Sequence, residues 1–208
     1  MNLTSEMIKE KAKNVGIDVI GIGNIERYAN APILMNPKTY FPEAKSVIVV
    51  GMRISRGSYR GIEEGTHWHN YTFYSYNRLN SFFRPRLTYE LACFIENFGW
   101  EAVPHYPAVP ERSAAQRPVA EGKVPHDIVF SIRLMGVGAG AGEMGHSKVF
   151  LTKEFGPRIR LGCILTDAEL EPDPIIEPGT ICNKCGRCVR DCPGNAIPPM
   201  TSIWDAVL

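Results

Sequence analysis

Apolar positions along this chain follow two periods, and the switches between them mark its elements. Ile8, Ala12 and Val15 share one helical face; Thr4 or Ser5 suits the cap before it, and Gly16 suits the stop after it. Residues 17–22 read as a short buried strand, and a loop comes next around Pro37 and Pro42. Residues 46–52 are continuously apolar, which predicts a central strand covered on both faces. Residues 55–70 are polar and glycine-rich and read as a loop. A helix is predicted over 71–98, with Leu87, Leu91, Phe94, Ile95 and Phe98 in helical register and Gly99 ending it. Pro85 either kinks that helix or opens its second half.

The second half of the chain starts with a predicted strand over 100–106 and a loop over 107–125. Residues 126–138 read as helix or strand, with Ile128, Ile132 and Met135 favouring helix. Residues 148–152 and 160–166 alternate like two strands, with Glu154-Phe155-Gly156-Pro157 as the turn between them. The proline-rich stretch 169–179 reads as a linker. The pattern is thus an α/β domain over residues 1–170, joined to a small module over 171–208.

That module carries the chemistry. Cys182, Cys185, Cys188 and Cys192, with Pro193 next, spell C-x2-C-x2-C-x3-C-P, the ferredoxin spacing for a [4Fe–4S] cluster. Three thiolates two residues apart can wrap three corners of a cubane from one loop. In two-cluster ferredoxins the fourth cysteine serves the other cluster, and no second run occurs before Leu208. A structural zinc site, which usually joins two separated pairs, fits this spacing poorly. Six cysteines in 208 residues are too few for a disulfide scaffold. Cys93 and Cys163 read as small core residues, with Cys163 a remote candidate for a further ligand.

Composition narrows the class only a little. A net charge of +1 implies no global attraction to nucleic acid or anionic membrane. No apolar run approaches the ~20 residues of a membrane span. The first residues lack an apolar leader or a twin arginine, which together with the thiols leads us to expect a cytoplasmic protein. Lys148, Lys153, Arg158 and Arg160 make a basic hairpin, read as a solvated face, and Glu111, Arg112, Arg117 and Lys123 lie in a loop that could border a substrate entrance.

Gly140, Gly142 and Gly145 match G-x-G-x-x-G, but a dinucleotide site needs a helix after the glycines, and the segment after Gly145 is strand-like. A plain turn is one alternative; backbone held close to something flat or bulky is another. The whole stretch from Gly140-Ala141-Gly142-Glu143-Met144-Gly145-His146-Ser147 through Glu154-Phe155-Gly156-Pro157 to Thr166-Asp167 resembles the core block of the epoxyqueuosine reductase and reductive dehalogenase superfamily. The likeness covers residues 85–199 well and the first 84 loosely. It implies a nitroreductase-like cobalamin-binding domain joined to a ferredoxin-like module, which here is partial because the family's second cysteine cluster is absent.

The resemblance also implies a cluster feeding electrons to a corrinoid bound without a protein ligand to cobalt. Gly140, Gly142, Gly145, His146 and Ser147 would line that cofactor. Dehalogenases of the family protonate product with a tyrosine beside a basic group, which makes Tyr71, Tyr74 and Tyr76 candidate donors; dense aromatics at these positions read more strongly as core or rim packing. The aspartate donor of epoxyqueuosine reductases has no clear counterpart. The implied partners are an electron donor such as a ferredoxin or flavodoxin, and a small-molecule or modified-nucleoside substrate. A homodimer is also in view. The competing functions are a non-catalytic electron-transfer protein, a segment of a longer iron–sulfur protein, and a flavin-dependent reductase.

Overall fold

A computed structural model describes residues 2–105, 118, 120–124 and 131–200. Its helices are α1 (Ser5–Val15), α2 (Pro37–Tyr40), α3 (Arg60–Glu63), α4 (Arg84–Glu96), α5 (Ile132–Gly138) and α6 (Arg187–Arg190). Its strands are β1 (Val19–Asn24), β2 (Ser46–Arg53), β3 (Ala102–His105), β4 (Glu143–Met144), β5 (Phe150–Leu151) and β6 (Ile159–Thr166). Thr4 caps α1, its hydroxyl accepting the Met7 N–H at 3.3 Å. Gly16 ends the helix at φ 92°, a left-handed turn that only glycine adopts without strain.

β1, β2, β6 and β3 lie side by side in that order, antiparallel throughout, with Val49 opposite Cys163 and Ile48 opposite Ile164. Because successive side chains alternate, the two central strands supply two cores. Ile48, Val50, Met52 and Ile164 pack with Ile8, Ala12, Leu91 and Ile95 of α1 and α4. Val47, Val49, Cys163 and Leu165 pack on the opposite face with Ile132 and Met135 of α5, together with Tyr28 and Phe150. The continuous apolar run of β2 therefore reflects an antiparallel sheet covered on both faces, not a parallel one.

Three expectations need correction. The segments around 150 and 160 do not form one hairpin: β5 pairs with β4, while β6 has β2 and β3 on its two edges. Only a bridge between Thr152 and Gly156 marks the expected turn. The polar stretch 55–70 is not all loop; it holds a turn of 3-10 helix at Arg56–Tyr59 and α3, closed by the Arg56–Glu63 and Arg60–Glu64 ion pairs. The long helix exists, but Tyr71–Asn77 and Leu79–Phe83 are wound as π-helix before α4 takes over. Pro85 sits in the first turn of α4, where its missing N–H is tolerated and the wider winding upstream relieves its ring. Residues 106–117 and 125–130, including Glu111, Arg112 and Arg117, lie outside the described residues.

α5 lies tight on β1 because Gly21 has no side chain: a Cβ there would meet the Ala139 carbonyl oxygen and come within 2.9 Å of the Ala141 Cβ. Gly21→Ala is expected to lower stability by about 1–3 kcal/mol, as overpacking does. Urea unfolding reads this as a lower midpoint at unchanged slope; a wild-type midpoint would refute the close approach.

Candidate functional site

The cysteine run begins where the chain turns sharply. Lys184, Gly186 and Asn195 all take left-handed conformations, at φ 54°, 72° and 47°. These reversals and the single turn of α6, which carries Cys188, keep four thiols within one short loop. None is in a disulfide; Cys185 is exposed and the other three are half-buried. Backbone N–H groups point at the Cys192 sulfur. Ala196 first and then Gly194 hold its thiol below the usual range, partial burial opposes them, and Ile197 and Asn195 add to the lowering. Thiolates cradled by N–H groups are what an iron–sulfur cluster uses as ligands.

Among the described residues, no three His, Cys, Asp or Glu side chains converge tightly enough to hold a metal ion. A cubane takes its thiolates at separate corners, not at one point. The donor set fits such a cluster in ligand type, spacing and N–H support. It fits a single zinc ion poorly.

Beneath the run lies a residue that sequence reasoning passed over. Glu143 occupies an x position of the glycine motif, on β4, and is only 6% exposed. Its carboxylate accepts the N–H groups of Gly179 and Ile181 at 2.7 Å each, and that of Cys182 at 3.3 Å. Burial pushes its pKa up, but the three hydrogen bonds together outweigh that and leave it below the usual carboxylate range. An acidic residue in an otherwise apolar, glycine-rich turn was the available signal. Three residues on, the His146 ring donates from Nε2 to the Pro198 carbonyl at 3.0 Å.

The glycines of the motif approach the chain itself. A Cβ on Gly140, which has φ 72°, would strike the Pro174 carbonyl; one on Gly142 would strike the Leu151 carbonyl; one on Gly145 would lie 2.8 Å from Leu151 Cδ1. Gly142 and Gly145 are buried, and Ser147 is half-buried beside them. No helix opens after them, so the motif has no dinucleotide-binding form.

The stretch read as a linker is fastened along the domain. Ser46 donates its hydroxyl to the Ala168 carbonyl at 2.8 Å and accepts the Leu170 N–H at 3.1 Å. Asp173 accepts from the Ile22 N–H at 2.9 Å and from Lys9 at 2.5 Å. Arg27 joins the Gly138 and Asp173 carbonyls, at 2.7 and 2.9 Å.

The candidate tyrosines separate by environment. Tyr76 is exposed, with the Arg160 guanidinium 5.7 Å from its ring centroid. Arg160 also donates to the Ser75 carbonyl at 3.2 Å, so this residue of the basic hairpin belongs to the π-helix. Tyr71 is half-buried against Tyr59, with ring centroids 5.1 Å apart. Tyr74 is exposed and meets Phe73 edge-on. With Trp68, Phe82 and Phe83 also exposed, the rings of this stretch lie at the rim and not in the core.

A cavity of about 220 Å³ opens between α4 and β3, lined by Arg84, Thr88, Tyr89, Pro104, His105 and Gly162. Arg84 is buried and donates to the Leu161 and Asn80 carbonyls, at 3.2 Å each. Cys163, the remote ligand candidate, is fully buried in the sheet, and burial holds its thiol neutral.

No family profile matches the chain. A tetrachloroethene reductive dehalogenase of Desulfitobacterium hafniense is 31% identical over 113 residues, which are 53% of this chain and 17% of that protein. The solved structure of epoxyqueuosine reductase from Streptococcus thermophilus aligns with 98% of this chain and 55% of its own, at TM-score 0.59 and 17% identity. A catabolic reductive dehalogenase solved with 3-bromo-4-hydroxybenzoic acid aligns with 93% of this chain and 25% of its own, at TM-score 0.62 and 20% identity. Over about half its length the chain is similar in sequence to reductive dehalogenases, and it shares a fold with the solved epoxyqueuosine reductase and reductive dehalogenase structures. It thus spans about a sixth to a half of the relatives it matches. No described helix is long and apolar enough to cross a membrane.

His105, on the wall of the cavity, gives the chain a pH signature. Burial first, and the Arg84 charge second, press its pKa from 6.5 to about 4. The unfolded chain takes up that proton near the ordinary value and the folded chain only near the lowered one. Between them the unfolded state binds more protons, so stability falls as pH drops from about 6.5 to about 4. Urea unfolding across that window should show this slope, reduced in His105→Gln; an unchanged slope would refute the assignment.

Proposed function

We propose that the chain is the reductase core of an iron–sulfur enzyme, in which a [4Fe–4S] cluster held by Cys182, Cys185 and Cys188, with Cys192 as a further thiolate of the run, would pass single electrons to a corrinoid seated along residues 140–147. The observation that supports this most is the bonding of segment 143–146 to both ends of the cysteine run, through Glu143 at residues 179–182 and His146 at Pro198. Single-electron delivery needs donor and acceptor held at a short, fixed separation, and this bonding fixes the two segments against each other. When bound, the cluster supplies one-electron transfer and the corrinoid supplies the reducing chemistry.

The chain's own residues do the rest. The cysteines hold the cluster, with the Cys192 sulfur steadied by backbone N–H groups. Gly140, Gly142, Gly145, His146 and Ser147 would line the cofactor, the glycines allowing this segment to pack closely against its neighbours. Tyr76, with Arg160 beside it, is the best placed of the three tyrosines to give up a proton from its hydroxyl. The names of the relatives point to a halogenated small molecule or a modified nucleoside as substrate. A reduced ferredoxin or flavodoxin fits as electron donor, and a reducing cytoplasm fits the thiolates.

Anaerobic reconstitution with iron, sulfide and hydroxocobalamin tests the reading. About four iron and four sulfide per chain are expected from the spacing, with cobalt retained after gel filtration. Cys185→Ala should lose the iron, and Cys163→Ala should keep it. Wild-type protein that takes up no iron would sink the cluster; a yellow protein with a flavin spectrum and no cobalt would replace the corrinoid with flavin. In the loaded enzyme, Tyr76→Phe is expected to slow product formation by about 10²-fold, the usual worth of a positioned proton donor, and Tyr74→Phe much less. Equal effects would remove Tyr76 from the role.

A further inference from the structure

The x positions of the glycine motif carry an acidic side chain whose bonds lead out of the motif. Glu143 sits on a two-residue strand, paired to β5 by the register Glu143 to Leu151, so its backbone is fixed. Its side chain is buried and points at the cysteine run. Three backbone donors converge on it, and they flank the first thiol: Gly179 and Ile181 before it and Cys182 itself. Gly179 has φ 93°, a turn that brings its N–H round toward the carboxylate and that other residues adopt only with strain. Charge-assisted bonds from N–H to carboxylate are among the stronger ones in proteins. A carboxylate that had only to fill space would not collect three donors from one short segment.

We infer that Glu143 is a positioning residue: it sets Cys182, and with it the first corner of the cysteine loop, at a fixed place relative to the glycine motif. The inference rests on the proposed cluster for its consequence, although the positioning itself is a property of the chain alone. The first effect is on assembly. A carboxylate that holds three amides around the first thiol restricts the conformations from which the loop captures iron. The second effect is electrostatic. The Glu143 carboxylate accepts the backbone N–H of a proposed cluster ligand, and negative charge near a cluster lowers its reduction potential.

The experiment uses the full chain as wild type, Glu143→Gln, Glu143→Ala and Glu143→Asp. In cluster-free protein, hydrogen exchange at the amides of Gly179, Ile181 and Cys182 is expected to speed up about tenfold or more in Glu143→Gln and Glu143→Ala, as loss of a hydrogen bond to a charged group implies. The amides of β2 and β6 serve as the control for intact folding. After anaerobic loading with iron and sulfide, Glu143→Gln should show a more positive midpoint potential than wild type, and Glu143→Asp should move back toward wild type. Wild-type exchange rates at all three amides in Glu143→Gln would overturn the inference. So would faster exchange with wild-type iron content and wild-type potential, since Glu143 would then be only a structural brace. Should Glu143→Ala fail the folding control, Glu143→Gln and Glu143→Asp carry the comparison. Wild-type protein that binds no iron would end the cluster reading, while the exchange data would still judge the positioning.

Discussion

Three backbone N–H groups, on Gly179, Ile181 and Cys182, close on the carboxylate of Glu143, and the organisation of the candidate site depends on that closure. A buried carboxylate left alone would be costly, and three donors in one loop would be costly if buried without acceptors. Each group removes the other's penalty. The result is a fixed joint between a glycine-rich turn on one side of the sheet and a cysteine loop that has little apolar material of its own. Within 179–200 no residue is fully buried, so this segment cannot be held by a core. Directional polar bonds do the holding, with the His146 bond to Pro198 at the far end.

The same economy runs through the strap that leads to the cysteines. Its prolines limit the unfolded chain, and its polar side chains and carbonyls find partners on elements far away in sequence. Asp173 alone takes a backbone N–H of β1 and the ammonium of Lys9 on α1. Glycines allow the approach: Gly140 and Gly142 bring backbone against the Pro174 and Leu151 carbonyls, where any side chain would intrude. The glycine motif therefore has a packing explanation that stands whether or not a cofactor also lies along it. The cluster reading and the corrinoid reading thus rest on different grounds, the first on four thiols and the second on likeness and on the joint.

Much of the architecture was legible because it obeys local rules. The α1 caps at Thr4 and Gly16, the buried run of β2, and the stop of α4 before Gly99 each depend on residues within a turn or two. Pairing and winding were not legible. The 148–152 and 160–166 segments have the right alternation for a hairpin, but alternation says nothing about which strand lies alongside, and β6 is claimed on both edges by β2 and β3. The π-winding of 71–83 leaves no periodic mark that distinguishes it from an α-helix, and aromatic density alone did not say which rings of this stretch lie at the surface.

By itself the sequence determined four thiols at a spacing that suits an iron–sulfur cluster wherever the loop sits, and the caps and central run of α1 and β2. The tertiary structure alone decided that the cysteine loop belongs to the glycine motif, that Tyr76 and not Tyr74 has Arg160 beside it, and that the apparent linker is bound down. The physical reason is reach. Caps, periodicities and ligand spacings act over a few residues, while the bonds of Glu143 span 36 to 39 positions and those of Asp173 to Ile22 and Lys9 span 151 and 164. Only the folded chain brings such partners within hydrogen-bonding distance.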